Sequence, residues 1–363
     1  MREIPVLRLA GSPTERGHQH GQAVAAGILE LYDSLVADFR KTDPPVEERD
    51  LLAYAMSHLP ESRAYAPDLV EEVDATAEAA GVPFEKVWLL NCFDEVSGYG
   101  LYRKLNAGHS CTTFAATGLS TTDGKTFVGQ SWDAFDAWEP MVLDIAPGGG
   151  EIGALIVSHP GIVAGTGINS AGVAVAWNTL RSLDARSGVP CTFLVRKALQ
   201  QTTLGAAVQV AVSGVRAAGF NFIIGAEFAA VNVEASATRE NVRYIGRHFG
   251  HANHYQEPEL VQFEGSPASR VASTSRIRSG RINQLLDQAA GHIDLETCKT
   301  MLRDHADYPG SICAHKDPPR SEVLTMATMV YQPDQRLMLV TDKQACENPF
   351  QEFRVGHAVG AFA

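Results

Sequence analysis

His109-Ser110-Cys111-Thr112-Thr113-Phe114, followed by Gly129-Gln130-Ser131-Trp132-Asp133, marks the point where the character of the chain changes. Before Cys111 the apolar residues recur at helical spacing. After it they alternate with polar ones, as strands do. Cys111 therefore stands at the junction of a helical segment and a β-rich one. A cysteine there can carry chemistry, because a thiolate is a strong nucleophile even though a free thiol, with a pKa near ~8.5, is mostly protonated at neutral pH. If the Ser110-Cys111 bond cleaves itself, the new α-amine has a reference pKa of about 8 and sits on the same residue as the thiol. One residue then supplies both nucleophile and base. Without companions, Cys111 would read as one more buried thiol.

Upstream, Ser12-Pro13-Thr14-Glu15 has the form of a helix start, with Ser12 as cap, Pro13 in the first turn and Glu15 completing a capping box. Val24, Ile28, Leu31, Leu35 and Phe39 continue one apolar stripe, and Asp43-Pro44-Pro45 breaks it. Helices are expected over 47–59 and 60–80, the latter ended by Gly81, with a fourth opening at Val82-Pro83-Phe84. A loop over 97–108 then leads to Cys111.

Downstream, hairpins are expected for 111–117 with 125–131 about Thr122-Asp123-Gly124, for 141–146 with 152–158 about Pro147-Gly148-Gly149-Gly150, and for 163–168 with 173–180 about Asn169-Ser170-Ala171-Gly172. Helices follow over 190–200 and 204–212, strands over 220–225 and 229–235, helices over 273–290 and 295–305, and a last hairpin, 323–331 with 336–341. Hairpins separated by helical blocks predict an α+β protein, with two packed antiparallel sheets and helices outside them.

Composition narrows the function. A formal charge of −12 without a basic patch excludes a nucleic-acid partner. No apolar run has the length of a membrane span, and Met1-Arg2-Glu3-Ile4-Pro5 lacks the apolar core of a secretion signal, so a cytoplasmic protein is expected. Six cysteines with no C-x-x-C pair fit reduced thiols rather than a disulfide framework. His18 and His20 diverge on a helix and have no third ligand nearby, so no metal and no cofactor is expected. Gly165-Thr166-Gly167 lacks the rest of a dinucleotide fingerprint, and Gly108-His109-Ser110-Cys111-Thr112 lacks the final glycine of a nucleophile elbow.

The two opening stretches resemble the processing site of the acyl-coenzyme A:isopenicillin N (6-aminopenicillanic acid) acyltransferase family, within the N-terminal-nucleophile (Ntn) hydrolases. Further likenesses follow in order: Arg16-Gly17-His18-Gln19-His20-Gly21, Gly167 to Val175 with Asn178-Thr179-Leu180, His251-Ala252-Asn253-His254, and Tyr308-Pro309-Gly310-Ser311-Ile312-Cys313. Together they span roughly 16 to 331.

The resemblance implies a single-domain, four-layer αββα Ntn-hydrolase sandwich. It also implies autocatalytic cleavage into a small helical chain, 1–110, and a large catalytic chain, 111–363, that stay associated; a homo-oligomer is left open. Carried over, Cys111 is the nucleophile and its freed amine the base. Asp133 holds that amine, and Asn178 and Asn253 position the substrate carbonyl and stabilise the oxyanion. Arg276 is similar to an arginine near the nucleophile in the choloylglycine-hydrolase branch. Ser110 and Thr112 flank the nucleophile and are expected to serve processing. Ser236 and Ser311 fall where processing or acyl transfer depends on them, although either also suits a local backbone hydrogen bond. The chain departs from the pattern at Ser110, where Gly is usual, at Ala134, where an aromatic is usual, and at Ala314, where Arg is common.

The activity expected is hydrolysis of a small N-acyl amide or amide-like substrate through an acyl-cysteine. The alternative is acyl transfer to an amine from a thioester such as acyl-CoA. A third reading is an unprocessed relative that only binds a ligand.

Overall fold

The computed structural model describes residues 2–41, 45–98, 110–134, 138–265 and 270–356. The expected loop over 99–108, His109 and the break at Asp43-Pro44 lie outside the described residues.

Helix α1 (Pro13–Arg40) begins with the capping box expected of it: Glu15 N donates to Ser12 Oγ and Ser12 N to Glu15 Oε2. It packs along α4 (Pro67–Ala80), and two glycines set the closeness of approach. A Cβ on Gly17 would lie 2.3 Å from the Glu72 carbonyl oxygen, and one on Gly21 would lie 2.2 Å from that of Thr76. Any side chain there would push the helices apart.

Between them run α2 (Glu48–Met56) and α3 (Leu59–Tyr65). The single helix expected over 60–80 is thus two. Pro67 excludes helical geometry from the residue before it, and Ala66 sits at φ −141°, ψ 66°. Gly81, left-handed at φ +66°, ends α4 as expected. Helices α5 (Phe84–Asn91) and α6 (Phe93–Gly98) follow, so 97–98 are helical rather than loop.

The downstream hairpins form as expected. Strands β2 (Ser110–Gly118) and β3 (Gly124–Ala134) pair antiparallel, as do β4 (Met141–Ile145) with β5 (Ala154–Ser158) and β6 (Thr166–Asn169) with β7 (Ala174–Leu180). After α7 (Cys191–Leu199) and α8 (Leu204–Ser213) come β8 (Gly219–Ala226), β9 (Ala229–Ala235), β10 (Glu240–Ile245) and β11 (His248–His251). Helices α9 (Arg270–Ala289) and α10 (Leu295–Met301) precede β12 (Leu324–Gln332), β13 (Leu337–Asp342) and β14 (Gln351–Arg354). The sequence pattern left out β1 (Val6–Leu9), β10, β11 and β14, which are short or half-exposed edge elements. It also ran α10 four residues too far.

Two sheets result. One has the order β1-β4-β5-β6-β7-β8-β9-β10, and the other β11-β2-β3-β12-β13-β14. All pairings between these described strands are antiparallel except β1 with β4. The sheets face each other, β2 and β3 lying against β7, β8 and β9. Their facing surfaces are fully buried, as the near-continuous apolar strands require. Helices α7 and α8 cover the outer face of the first sheet, and α9 and α10 that of the second. This is the four-layer αββα sandwich expected, with α1–α6 as an added helical cap. Among the described residues no helix is long and apolar enough to cross a membrane.

Four buried charges join the cap to the sandwich. Arg16 Nε is 2.8 Å from Glu72, Arg196 Nη2 is 2.9 Å from Glu151 and 3.3 Å from Glu72, and Arg16 Nη2 is 3.5 Å from Glu151. The pairing is reciprocal, so none of the four is left as a lone buried charge.

Candidate active site

Cys111 is the second residue of β2 and is buried between the sheets. Its backbone is held on both sides by side chains from remote parts of the chain. The amide N–H donates to Asn253 Oδ1 at 2.9 Å. The carbonyl oxygen accepts from Asn178 Nδ2 at 3.1 Å and from Arg278 Nη1 at 2.7 Å.

Each of these partners is itself fixed. Asn178, on β7, accepts through Oδ1 from Thr113 Oγ1 at 2.6 Å and from Asn221 Nδ2 at 3.2 Å. Asn253 donates from Nδ2 to the Thr179 carbonyl and from its backbone N–H to Ser275 Oγ. The turn that carries Asn253 is set by Glu234, whose carboxylate accepts from the backbone N–H groups of Gln256 and Glu257 and lies 2.9 Å from His251 Nε2. The His-Ala-Asn-His stretch is thus an anchored turn. His254 has its pKa lowered to about 4, by burial first and by the neighbouring His251 second, so it is neutral.

Asp133 lies opposite Ser110 in the β2–β3 ladder and is fully buried. Its Oδ2 accepts from Ser110 Oγ at 3.0 Å and its Oδ1 from Thr325 Oγ1 at 2.7 Å. Burial pushes its pKa up to about 6, against the pull of the Arg278 guanidinium. Burial also drives the Cys111 thiol pKa far up, and the Asp133 carboxylate adds to this, while Gln130 and Arg278 oppose it. In the uncut chain the thiol is therefore protonated. Ser110 has no left-handed backbone among the positive-φ residues and needs no glycine there. Its hydroxyl gives Asp133 a partner that a glycine could not.

Arg276 is where the sequence expectation departs from the structure. Its side chain is 54% exposed and pairs with Glu264 at 3.7 Å, on the solvent side of α9. Arg278, two residues on, is buried and reaches the site, bonding the Cys111 carbonyl, Thr112 Oγ1 at 2.9 Å and Asn253 Oδ1 at 3.0 Å. At about 100° per residue, positions two apart on a helix face nearly opposite ways. The signal was present in the sequence: the buried Ile282 and Leu286 follow Arg278 at intervals of four, and mark its face as the inner one.

Ser236 and Ser311 are not part of this cluster. Ser236 Oγ bonds Asp184 and accepts from the N–H groups of Thr238 and Arg239, closing the turn after β9. Ser311 Oγ donates to the Cys313 carbonyl at 2.6 Å. Both take the local backbone role. Thr112, by contrast, is in the cluster through Arg278.

Reasoning from sequence missed Arg278, Thr113, Asn221, Ser275 and Thr325, and also the acidic pair on α6. Asp94 accepts from Thr179 Oγ1, and Glu95 Oε1 accepts from the Cys191 N–H at the start of α7. Burial raises both carboxyl pKa values, to about 7 and about 8, and the charge of Asp94 adds to the rise at Glu95.

The family model described as acyl-coenzyme A:6-aminopenicillanic acid acyl-transferase matches residues 153–344. The acyl-coenzyme A:6-aminopenicillanic-acid-acyltransferase 40 kDa form of Emericella nidulans is 27% identical over 334 residues, covering 88% of this chain and 87% of that one. An uncharacterized protein of Archaeoglobus fulgidus is 25% identical over 348 residues, covering 82% of this chain and 57% of its own length. Among solved structures, penicillin V acylase from Agrobacterium tumefaciens aligns at 14% identity with TM-score 0.42, over 64% of this chain and 83% of that one. A mutant conjugated bile acid hydrolase from Clostridium perfringens aligns at 12% identity with TM-score 0.40, over 67% and 92%.

Proposed function

We propose, on the premise that this chain belongs to the acyl-coenzyme A:6-aminopenicillanic acid acyl-transferase family, that it is a self-processing enzyme whose Cys111 cleaves a small N-acyl amide through an acyl-cysteine. The observation that carries the reading is the grip on Cys111: Asn253 on its nitrogen, and Asn178 and Arg278 on its carbonyl.

Processing proceeds by attack of Cys111 Sγ on the Ser110 carbonyl carbon. The peptide C–N bond breaks, a thioester to Ser110 forms, and water releases the Ser110 carboxylate. The thiol is restored and the former amide nitrogen becomes an α-amine. Asn253 Oδ1 already accepts from that nitrogen and so keeps its orientation. Departure of Ser110 removes a hydrogen bond from Asp133, whose buried carboxylate then has the new ammonium as its natural partner. A cation beside the thiol lowers its pKa, reversing the effect of burial.

In turnover the neutral amine takes the thiol proton to give the ammonium–thiolate pair, Sγ attacks the substrate carbonyl, and the ammonium passes that proton to the leaving amine. The amide groups of Asn178 and Asn253 each have a second N–H. These fit the role of donors to the developing oxyanion. Water resolves the acyl-cysteine. The second reading, acyl transfer from a thioester to an amine, is favoured by the name of the Emericella relative. The two share every step up to the acceptor.

Mass analysis and N-terminal sequencing of the purified, denatured protein test the proposal. A fragment beginning at Cys111, absent from Cys111→Ala, is the expected result. An intact wild-type chain that does not react with thiol-directed acylating probes would sink the enzyme reading in favour of a ligand-binding relative. Product analysis with and without an added amine separates hydrolysis from transfer.

A further inference from the structure

His305, Cys313, His315 and Cys346 bring four donor atoms together, all within 4.8 Å of one another, at a place none of the chemistry above uses. Cys313 Sγ and Cys346 Sγ are 3.6 Å apart. His315 Nε2 is 3.8 Å from the first sulfur, 3.4 Å from the second and 3.1 Å from His305 Nε2. A tetrahedral zinc ion with Zn–S of about 2.3 Å and Zn–N of about 2.0 Å separates its ligands by about 3.8 Å (S to S), 3.5 Å (S to N) and 3.3 Å (N to N). The four separations above lie within about 0.3 Å of that pattern. The two sulfurs are too far apart for a disulfide, whose bond is about 2.05 Å. His305 is exposed, and its side chain can move to complete the set.

We propose that these four residues form a structural Cys2His2 zinc site. All four positions are protein ligands, so no open position remains for catalysis. Glu347, 3.8 Å from His315 Nδ1, is placed to orient that ring through its other nitrogen. The site clamps the 302–323 loop to the turn after β13, which Arg303 Nε also reaches by bonding the Ala345 carbonyl at 2.9 Å.

The clamp has a structural consequence. Ala314, between the two central ligands, donates its N–H to Thr325 Oγ1 at 2.8 Å, and Thr325 in turn donates to Asp133. The metal thus fixes the loop that orients the Asp133 carboxylate. The sequence pointed to no metal, because the ligands are spread from 305 to 346 with only Cys313-x-His315 close together. Closure of the second sheet brings them together.

The test uses the full-length protein, purified under reducing conditions and stripped with chelator; Cys111→Ala protein serves equally, since the site does not depend on processing. About one zinc per chain before stripping is expected. Cobalt(II) added to the stripped protein should give the visible bands and thiolate charge transfer of a tetrahedral S2N2 site. Cys346→Ser and His305→Ala should weaken cobalt binding by at least about 100-fold, since even loss of an outer partner costs 10–100-fold. Both side chains are exposed, so the stripped variants should melt with the stripped wild type, whereas the rise in melting temperature on adding zinc should vanish in the variants. Lack of a cobalt spectrum with all thiols shown to be reduced would overturn the proposal. So would variants that bind as wild type does, or a metal-free Cys313–Cys346 disulfide in the native protein.

Discussion

Arg278 Nη1 donates to the Cys111 carbonyl oxygen at 2.7 Å, tying α9 to β2 between residues 167 positions apart. The same guanidinium also holds Thr112 and Asn253, so one side chain sets the position of the proposed nucleophile and of a proposed oxyanion donor. Arg278→Ala is expected to slow self-cleavage roughly 100-fold, since losing a charged, buried hydrogen bond costs about 1.5–3 kcal/mol. Arg278→Lys should rescue little, because an ammonium cannot reproduce the fork. Arg276→Ala should leave cleavage within about twofold, as an exposed ion pair contributes at most about 1 kcal/mol. Cleavage time courses of the three variants decide; equal defects at 276 and 278 would refute the assignment.

In the proposed processing Ser110 acts only before the cut. Ser110→Ala removes the hydrogen bond to Asp133 and should slow processing about tenfold. Once the variant has processed, its turnover number should equal that of wild type, because residue 110 has left with the small fragment. A turnover defect in fully cleaved Ser110→Ala would place Ser110 in the catalytic cycle instead.

Processing should also report Asp133. With its pKa pushed up to about 6, the carboxylate loses its charge as pH falls through that value. The charged carboxylate holds the Ser110 hydroxyl, so self-cleavage should slow by about tenfold in all as pH falls below about 6. In Asp133→Asn that limb should be absent, whatever the residual rate. A persistent limb would assign it to another group.

Stability should change with pH on the alkaline side as well. Asp94 and Glu95 titrate higher in the folded chain than in the unfolded one, so they favour folding at low pH and lose that contribution as pH rises through about 7 and 8. Melting temperature should accordingly fall between pH 6.5 and 8.5, and fall less in Asp94→Asn/Glu95→Gln. In the other direction, His20, His58 and His159, lowered to about 4 by burial, stabilise the fold above the unfolded histidine value of 6.5 and withdraw that stability as pH drops towards 4. Thermal scans across this range would show a maximum near neutrality. A melting temperature that climbs steadily to pH 8.5 would contradict the pair's assignment.

Glu72 touches both arginines of the buried quartet. Glu72→Ala leaves Arg16 and Arg196 sharing Glu151, and should destabilise the protein by about 3–5 kcal/mol. In the processed form the 1–110 fragment should then separate on gel filtration at moderate urea, where wild type remains associated.

Much of this molecule was legible in its sequence because turn chemistry is local. Asp123-Gly124, Pro147 to Gly150 and Asn169 to Gly172 each force a reversal, and each hairpin lies where its turn predicts. The break at Pro67 was equally local and was overlooked. What could not be read was set by tertiary closure. The ladder that places Asp133 opposite Ser110 follows from the hairpin, but the partners of Asn178 and Asn253 come from four separate segments, β2, β7, β8 and α9. The choice between Arg276 and Arg278 turned on helix phase. The four donors near Cys313 share no sequence motif, and only the closing of the β12–β13 edge draws Cys346 towards them.

The buried quartet of Arg16, Glu72, Glu151 and Arg196, with the β1–β4 pairing, would have a kinetic consequence for an enzyme processed as proposed. The first folding event is unimolecular, since both halves of this interface are still on one chain. A cut at Ser110-Cys111 makes every later folding event bimolecular. Refolding after denaturation would then depend on protein concentration and compete with aggregation of the large fragment, even though no contact in the native state had changed. The persistence of such an enzyme would rest on the height of its unfolding barrier, with recovery from the unfolded state contributing little.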